Sequence, residues 1–233
     1  MVYLENEKKV RYNPYHMKKD KKIGDGSDAD VYLIKGMAVK FYYDGFYSSG
    51  EGFTKRDIDK MSGIETKRIL LPKSPLLDKK RNVRGYKMTY VNDLGIDNFF
   101  NLNKRILQDE MKILDSDISV VSDNSIILSN IAPNNTVYNN GIYLINPGSY
   151  LLNSDNIFTE GLNRDVFDEY LIDLLINYCE NDNDDIFKEI FKKYIYTTYG
   201  DLLEYLANNF EFLNMGDFAK ENYRRVKQLC MFK

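Results

Sequence analysis

The sequence predicts an α+β chain of 233 residues in two parts, strands first and helices after. Up to about Tyr90 the apolar residues alternate, as in "DVYLIKGMAVKFYY", and turn residues interrupt them. After Val91 they recur at helical spacing, as in "DVFDEYLIDLLINYC". No repeat or low-complexity linker separates the two patterns. Residues 1–90 and 91–233 are therefore expected to be two lobes of a single domain, with a cleft between them as the natural ligand site.

The elements follow in order. Lys35-Gly36 reads as the tight turn of a hairpin. A short helix is expected in "FTKRDIDKMSGI" and a further strand pair in "LLPKSPLLDKKRNVRGYKMTYV". Phe99, Leu102, Ile106, Leu107, Ile113 and Leu114 lie near helical spacing. "SIILSNIAPNNTVYNNGIYLINPGSY" interrupts as loop and hairpin, with Asn139-Asn140-Gly141 as its turn. Then Val166, Phe167, Tyr170, Leu171, Leu174, Leu175 and Tyr178 form the apolar stripe of a strong amphipathic helix, and the rest is helical in pattern.

Composition excludes several function classes. Apolar residues at 43% suffice for a packed core, and a net charge of −3 argues against a nucleic-acid binder held by phosphate contacts. The basic "KKVRYNPYHMKKDKK" near the start reads as a solvated leader, with contact to an acidic partner as the functional alternative. His16 is the sole histidine, so a histidine-rich metal site is excluded and any Ser-His-Asp triad would have to use it. Cys179 and Cys230 have no ligand spacing and read as reduced thiols of a cytoplasmic protein. No apolar run suits a signal peptide or a membrane span, so no membrane partner is expected.

One ordered set carries chemistry. Gly24-Asp25-Gly26 precedes Val31 and then Lys40 on the expected hairpin. Glycines would let backbone N–H groups approach phosphate oxygens, Val31 could cover an adenine ring, and Lys40 could contact phosphates. Against this, Asp25, Asp28 and Asp30 would repel phosphate, and a plain glycine turn is the bland alternative.

This set resembles protein kinases, whose pattern is a Gly-rich loop, a Val, and Ala-x-Lys on the third strand. The matching residues are Gly24, Gly26, Val31 and Ala38-Val39-Lys40, with Ala29 in place of the third glycine. The resemblance continues through "GYKMTYVND", which would put Met88 at the gatekeeper position and the backbone of Thr89, Tyr90 and Val91 against adenine. Asp57 or Glu51 would supply the carboxylate that pairs with Lys40. The family's H-R-D-x-x-x-x-N aligns with Leu128-Ser129-Asn130-Ile131-Ala132-Pro133-Asn134-Asn135, and D-F-G aligns with Asn146-Pro147-Gly148. Asp165 matches the aspartate that anchors the catalytic-loop backbone, with a plain carboxylate at a helix N-terminus as the competing reading, and no A-P-E follows the site. The resemblance covers about Lys22 to Asp165.

It implies a bilobal kinase-like fold with a nucleotide cleft, and ATP and Mg2+ as cofactors. The catalytic identities differ, however. Asn130 stands for the base aspartate, and a neutral amide cannot accept a proton near neutral pH. Loss of a general base costs about 10²–10⁴-fold in rate. Asn146 stands for the main metal ligand without its charge, while Asn135, the second metal ligand, is kept. The expectation is a pseudokinase that binds ATP with weak or no phosphotransfer and regulates or scaffolds a protein partner. The alternative is an active atypical kinase acting on a protein or small-molecule hydroxyl.

Overall fold

The structure, a computed structural model, describes residues 3–4, 21–44, 46, 52–152, 158–179 and 185–231. The chain divides into two compact units. The first comprises Met1–Thr66 and Leu70–Val91, and the second Lys67–Ile69 and Asn92–Lys233. The α+β class holds, with the sheet in the first unit and most helices in the second. No helix among the described residues is long and apolar enough to cross a membrane.

The first unit is built on one antiparallel sheet. Its strands are β1 (Tyr3–Leu4), β2 (Lys21–Asp25), β3 (Ala29–Ile34), β4 (Met37–Tyr42), β5 (Ser74–Leu77) and β6 (Val83–Thr89), in the order β1-β5-β6-β4-β3-β2. Between β3 and β4, Lys35 and Gly36 both take positive φ, 49° and 79°. That conformation matches the twist of the strands and fixes their register. Ile34, Val39, Phe41 and Leu76 form the core on one face, with Tyr32 and Met37 beside them.

Helix α1 (Lys55–Ser62) lies where the sequence predicts one. Thr54 caps it by accepting from the Asp57 N–H, and the Asp57 carboxylate accepts from the Thr54 N–H at 2.8 Å. The helix buries Ile58 and Met61 and packs beside β5.

The second unit starts with α2 (Ile96–Phe100) and α3 (Lys104–Asp123), separated by the cap of Asn103, whose side chain accepts from the Ile106 N–H. The expected single helical pattern is thus two helices, and Ile106 is exposed in the first turn of the second. Short strands follow: β7 (Ile126–Ile127), β8 (Thr136–Tyr138), β9 (Ile142–Leu144) and β10 (Leu151–Leu152). The helices α4 (Thr159–Cys179), α5 (Asp185–Tyr199), α6 (Leu202–Asn208) and α7 (Met215–Met231) complete it.

Helix α4 buries most of the expected stripe, Phe167, Tyr170, Leu171, Leu174 and Leu175, and Ile172 and Ile176 with it, while Asp165, Glu169, Asp173 and Asn177 are exposed. It packs against α3, α5, α6, α7 and β7, so it is the central helix of the unit.

Segment Lys67–Ile69 joins the second unit through Asp117, a buried carboxylate on α3. One of its oxygens accepts from the N–H groups of Lys67, Arg68 and Ile69 at 2.8, 2.5 and 3.1 Å. Arg68 also pairs with Glu110 on α3 at 2.5 Å, and its carbonyl accepts from the Leu144 N–H at 2.9 Å.

Candidate functional site

The first unit carries the residues expected to meet a nucleotide. Val31 faces Lys40 across β3 and β4, while Ala38 faces Met88 and Lys40 faces Tyr86 across β4 and β6. Paired residues of neighbouring strands point to the same side of a sheet. Val31, Ala38, Lys40, Tyr86 and Met88 therefore share the face opposite the Ile34–Val39–Phe41 core. Ala38, Lys40 and Met88 are buried, Val31, Tyr90 and Val91 are half-buried, and Thr89 is exposed.

The glycine hairpin satisfies its own polar groups. Gly26 N–H donates to the Ala29 carbonyl at 3.0 Å. The Lys40 ammonium, on a residue only 6% exposed, lies 2.7 Å from the Asp28 carboxylate. The Asp28 carbonyl in turn accepts from the Tyr43 N–H at 2.9 Å, which fixes the backbone that presents the carboxylate. Lys22 pairs with Asp30 at 2.8 Å and with Asp25 at 3.6 Å. Desolvation pushes the Asp30 carboxyl up, but hydrogen bonds from Lys22, Tyr43 and Tyr32 outweigh it and leave its pKa below the ordinary value. The acids that the sequence reads as repelling phosphate are thus bound to lysines and tyrosines.

Asp57, one expected carboxylate partner of Lys40, is engaged in the α1 cap with Thr54. Glu51, the other, lies outside the described residues. A Cβ at Gly24 would meet only ordinary contact, 3.8 Å from Val31 Cβ, so packing alone does not require glycine there. Gly85 on β6 does require it: φ is +146°, and a Cβ would collide with the Lys40 carbonyl.

The second unit brings Asn130, Asn135 and Asn146 together. Asn130 takes φ 55°, which asparagine tolerates better than most residues. A 3-10 turn at Pro133–Asn135 follows, and another at Pro147–Ser149 follows Asn146. Ile145 N–H donates to the Asn135 carbonyl at 2.9 Å, which ties the loop before β8 to the end of β9. β10 pairs with β7, and Ser149 Oγ donates to the Ser129 carbonyl at 2.8 Å while Ser129 Oγ donates to the Ser149 carbonyl.

Hydrogen-bond polarity fixes the side chains of Asn135 and Asn146 against the main-chain carbonyl of Asn130. The Asn130 carbonyl can only accept, so the group facing it at 2.8 Å is Asn135 Nδ2. That leaves Asn135 Oδ1 toward Asn146, whose Nδ2 donates to it at 3.0 Å. Mg2+ needs oxygen ligands, preferably charged. Here both expected ligands are neutral amides, and an N–H occupies the oxygen of one. The donor set does not fit the metal. Among the described residues no group of three or more His, Cys, Asp or Glu could hold one either.

The loop is anchored by a residue the sequence reading did not single out. Asn163 on α4 is fully buried. Its Oδ1 accepts from the Leu128 N–H at 2.7 Å, and its Nδ2 donates to the Ile126 carbonyl and to Ser122 Oγ, each at 2.9 Å. Asp165, expected in this role, is exposed. The helical phase explains the difference: Asn163 lies four residues before Phe167 and seven before Tyr170, on the buried stripe, and Asp165 does not. A polar residue on an apolar stripe was the available signal. Comparison with protein families and with curated proteins gives no match for this chain.

Proposed function

We propose that the chain is a protein kinase-like, adenine-nucleotide-binding protein whose phosphotransfer is weak or lost, and that its role is regulatory or scaffolding. One observation carries the reading. Asn130, Asn135 and Asn146 are spaced as the family spaces its base and two metal ligands, and the Asn135 side chain bonds both the Asn130 main-chain carbonyl and the Asn146 side chain. Two of these positions have lost the carboxylates that in-line transfer requires.

The first unit supports the binding part. Val31, Ala38, Lys40 and Met88 lie on one face of adjacent strands. A small residue, two apolar side chains and a cation on one face suit a flat aromatic base with a polar group beyond it. Nucleotide-dependent thermal stabilisation tests the reading. A rise in Tm with adenine nucleotides and no transfer of the γ-phosphate is the expected result. No shift at millimolar adenine nucleotide removes the binding claim, and rapid transfer favours an active atypical kinase instead.

A further inference from the structure

The groups of the first unit that would meet a triphosphate are already satisfied within that unit. In the first unit, Lys40 Nζ lies 2.7 Å from Asp28, and the side chains are 7% and 24% exposed. The Gly26 N–H, the kind of donor that cradles a phosphate, donates to the Ala29 carbonyl instead. Each is a separate contact, and each removes something a triphosphate needs: a cation and a backbone donor.

The adenine-facing residues are not closed in this way. Val31, Ala38 and Met88 have no charge to neutralise, and their recognition of a base does not depend on phosphate. Resting on the nucleotide-binding reading above, we infer that the chain selects an adenine ligand of low charge, a nucleoside or monophosphate, over a metal-bound triphosphate. Asp28 is the residue that sets this preference. A triphosphate at Lys40 must displace the Asp28 carboxylate or sit beside it, and repulsion between like charges in a shielded site is several-fold stronger than in water. A nucleoside leaves the ion pair intact.

The test measures the affinities of adenosine, AMP and ATP by calorimetry on the full chain, with and without Mg2+, for wild type and Asp28→Asn. The substitution keeps the side-chain shape and the backbone carbonyl that Tyr43 uses. Wild type should bind adenosine or AMP about tenfold or more tighter than ATP, independently of Mg2+, and Asp28→Asn should narrow that ratio about tenfold, as one shielded charge pair allows. Tighter binding of ATP with Mg2+ to wild type overturns the inference and leaves the nucleotide-binding reading standing. An unchanged ratio in a folded Asp28→Asn protein removes the role of Asp28. If that variant does not fold, the wild-type ratio decides the preference alone, and Asp28→Ser repeats the comparison. Failure of every adenine ligand to bind overturns both readings.

Discussion

The side-chain amide of Asn146 donates a hydrogen bond to Oδ1 of Asn135 at 3.0 Å. That N–H takes up the Asn135 oxygen, one of the two groups expected to hold a cation. Asn146→Asp removes the N–H and sets carboxylate against carbonyl oxygen, an arrangement a divalent cation relieves. The wild-type Tm should not respond to Mg2+. The variant should lose stability without the metal and gain about 2.7 kcal/mol at Mg2+ a hundredfold above its Kd. Thermal melts across a Mg2+ series check this.

Asn163 supplies both polarities at one buried point. Asn163→Ala strands the Leu128 N–H and the Ile126 carbonyl, and roughly 2–4 kcal/mol of stability should go with them. Asn163→Asp should be no milder, since a carboxylate oxygen would face the Ile126 carbonyl. Asp165→Asn, at an exposed position, should stay within about 0.5 kcal/mol of wild type. Urea denaturation of the variants ranks them.

Gly85 and Gly24 separate fold from function. Gly85→Ala needs positive φ and collides with the Lys40 carbonyl, so about 2 kcal/mol or more should be lost. Gly24→Ala meets no close atom and should change stability by about 1 kcal/mol or less. Circular dichroism melts distinguish the two.

Asp168 gives a pH signature. Burial raises its carboxyl from 3.8 to about 6, against the opposing pull of the Leu202 and Leu203 N–H groups it accepts from at 2.8 and 3.0 Å. Between those values the folded chain holds more of this proton than the unfolded chain. The group's contribution to stability is therefore complete below its unfolded value of 3.8 and is lost as pH rises through about 6. Asp168→Asn should remove that slope, as the difference between the two stability profiles from pH 4 to 7 will show.

Local signals carried much of the fold into the sequence. The Lys35-Gly36 turn, the β5–β6 pair and the Asn139-Asn140-Gly141 hairpin all depend on residues adjacent in the chain, and periodicity and turn chemistry report those directly. What the sequence left unread depends on distant partners. Asp117 gathers three N–H groups from a segment about fifty residues earlier, and Asn163 reaches back thirty-five residues to Leu128. The site shows the same division. The Asn130, Asn135 and Asn146 spacing was legible. That Asp28 would pair with Lys40 was not, because it required knowing how the glycine hairpin folds onto β4.

A chain of the proposed kind should bind an adenine nucleotide and not turn it over. Equilibrium dialysis of wild type against ATP labelled at the γ-phosphate, at millimolar concentration with Mg2+, tests both halves in one sample when ATP and phosphate are then separated. Intact ATP should be retained by the protein, with no phosphate released or transferred above background. Failure to retain ATP, with AMP in a parallel cell also not retained, contradicts nucleotide binding. Turnover that Asn130→Asp with Asn146→Asp does not increase contradicts the loss of phosphotransfer.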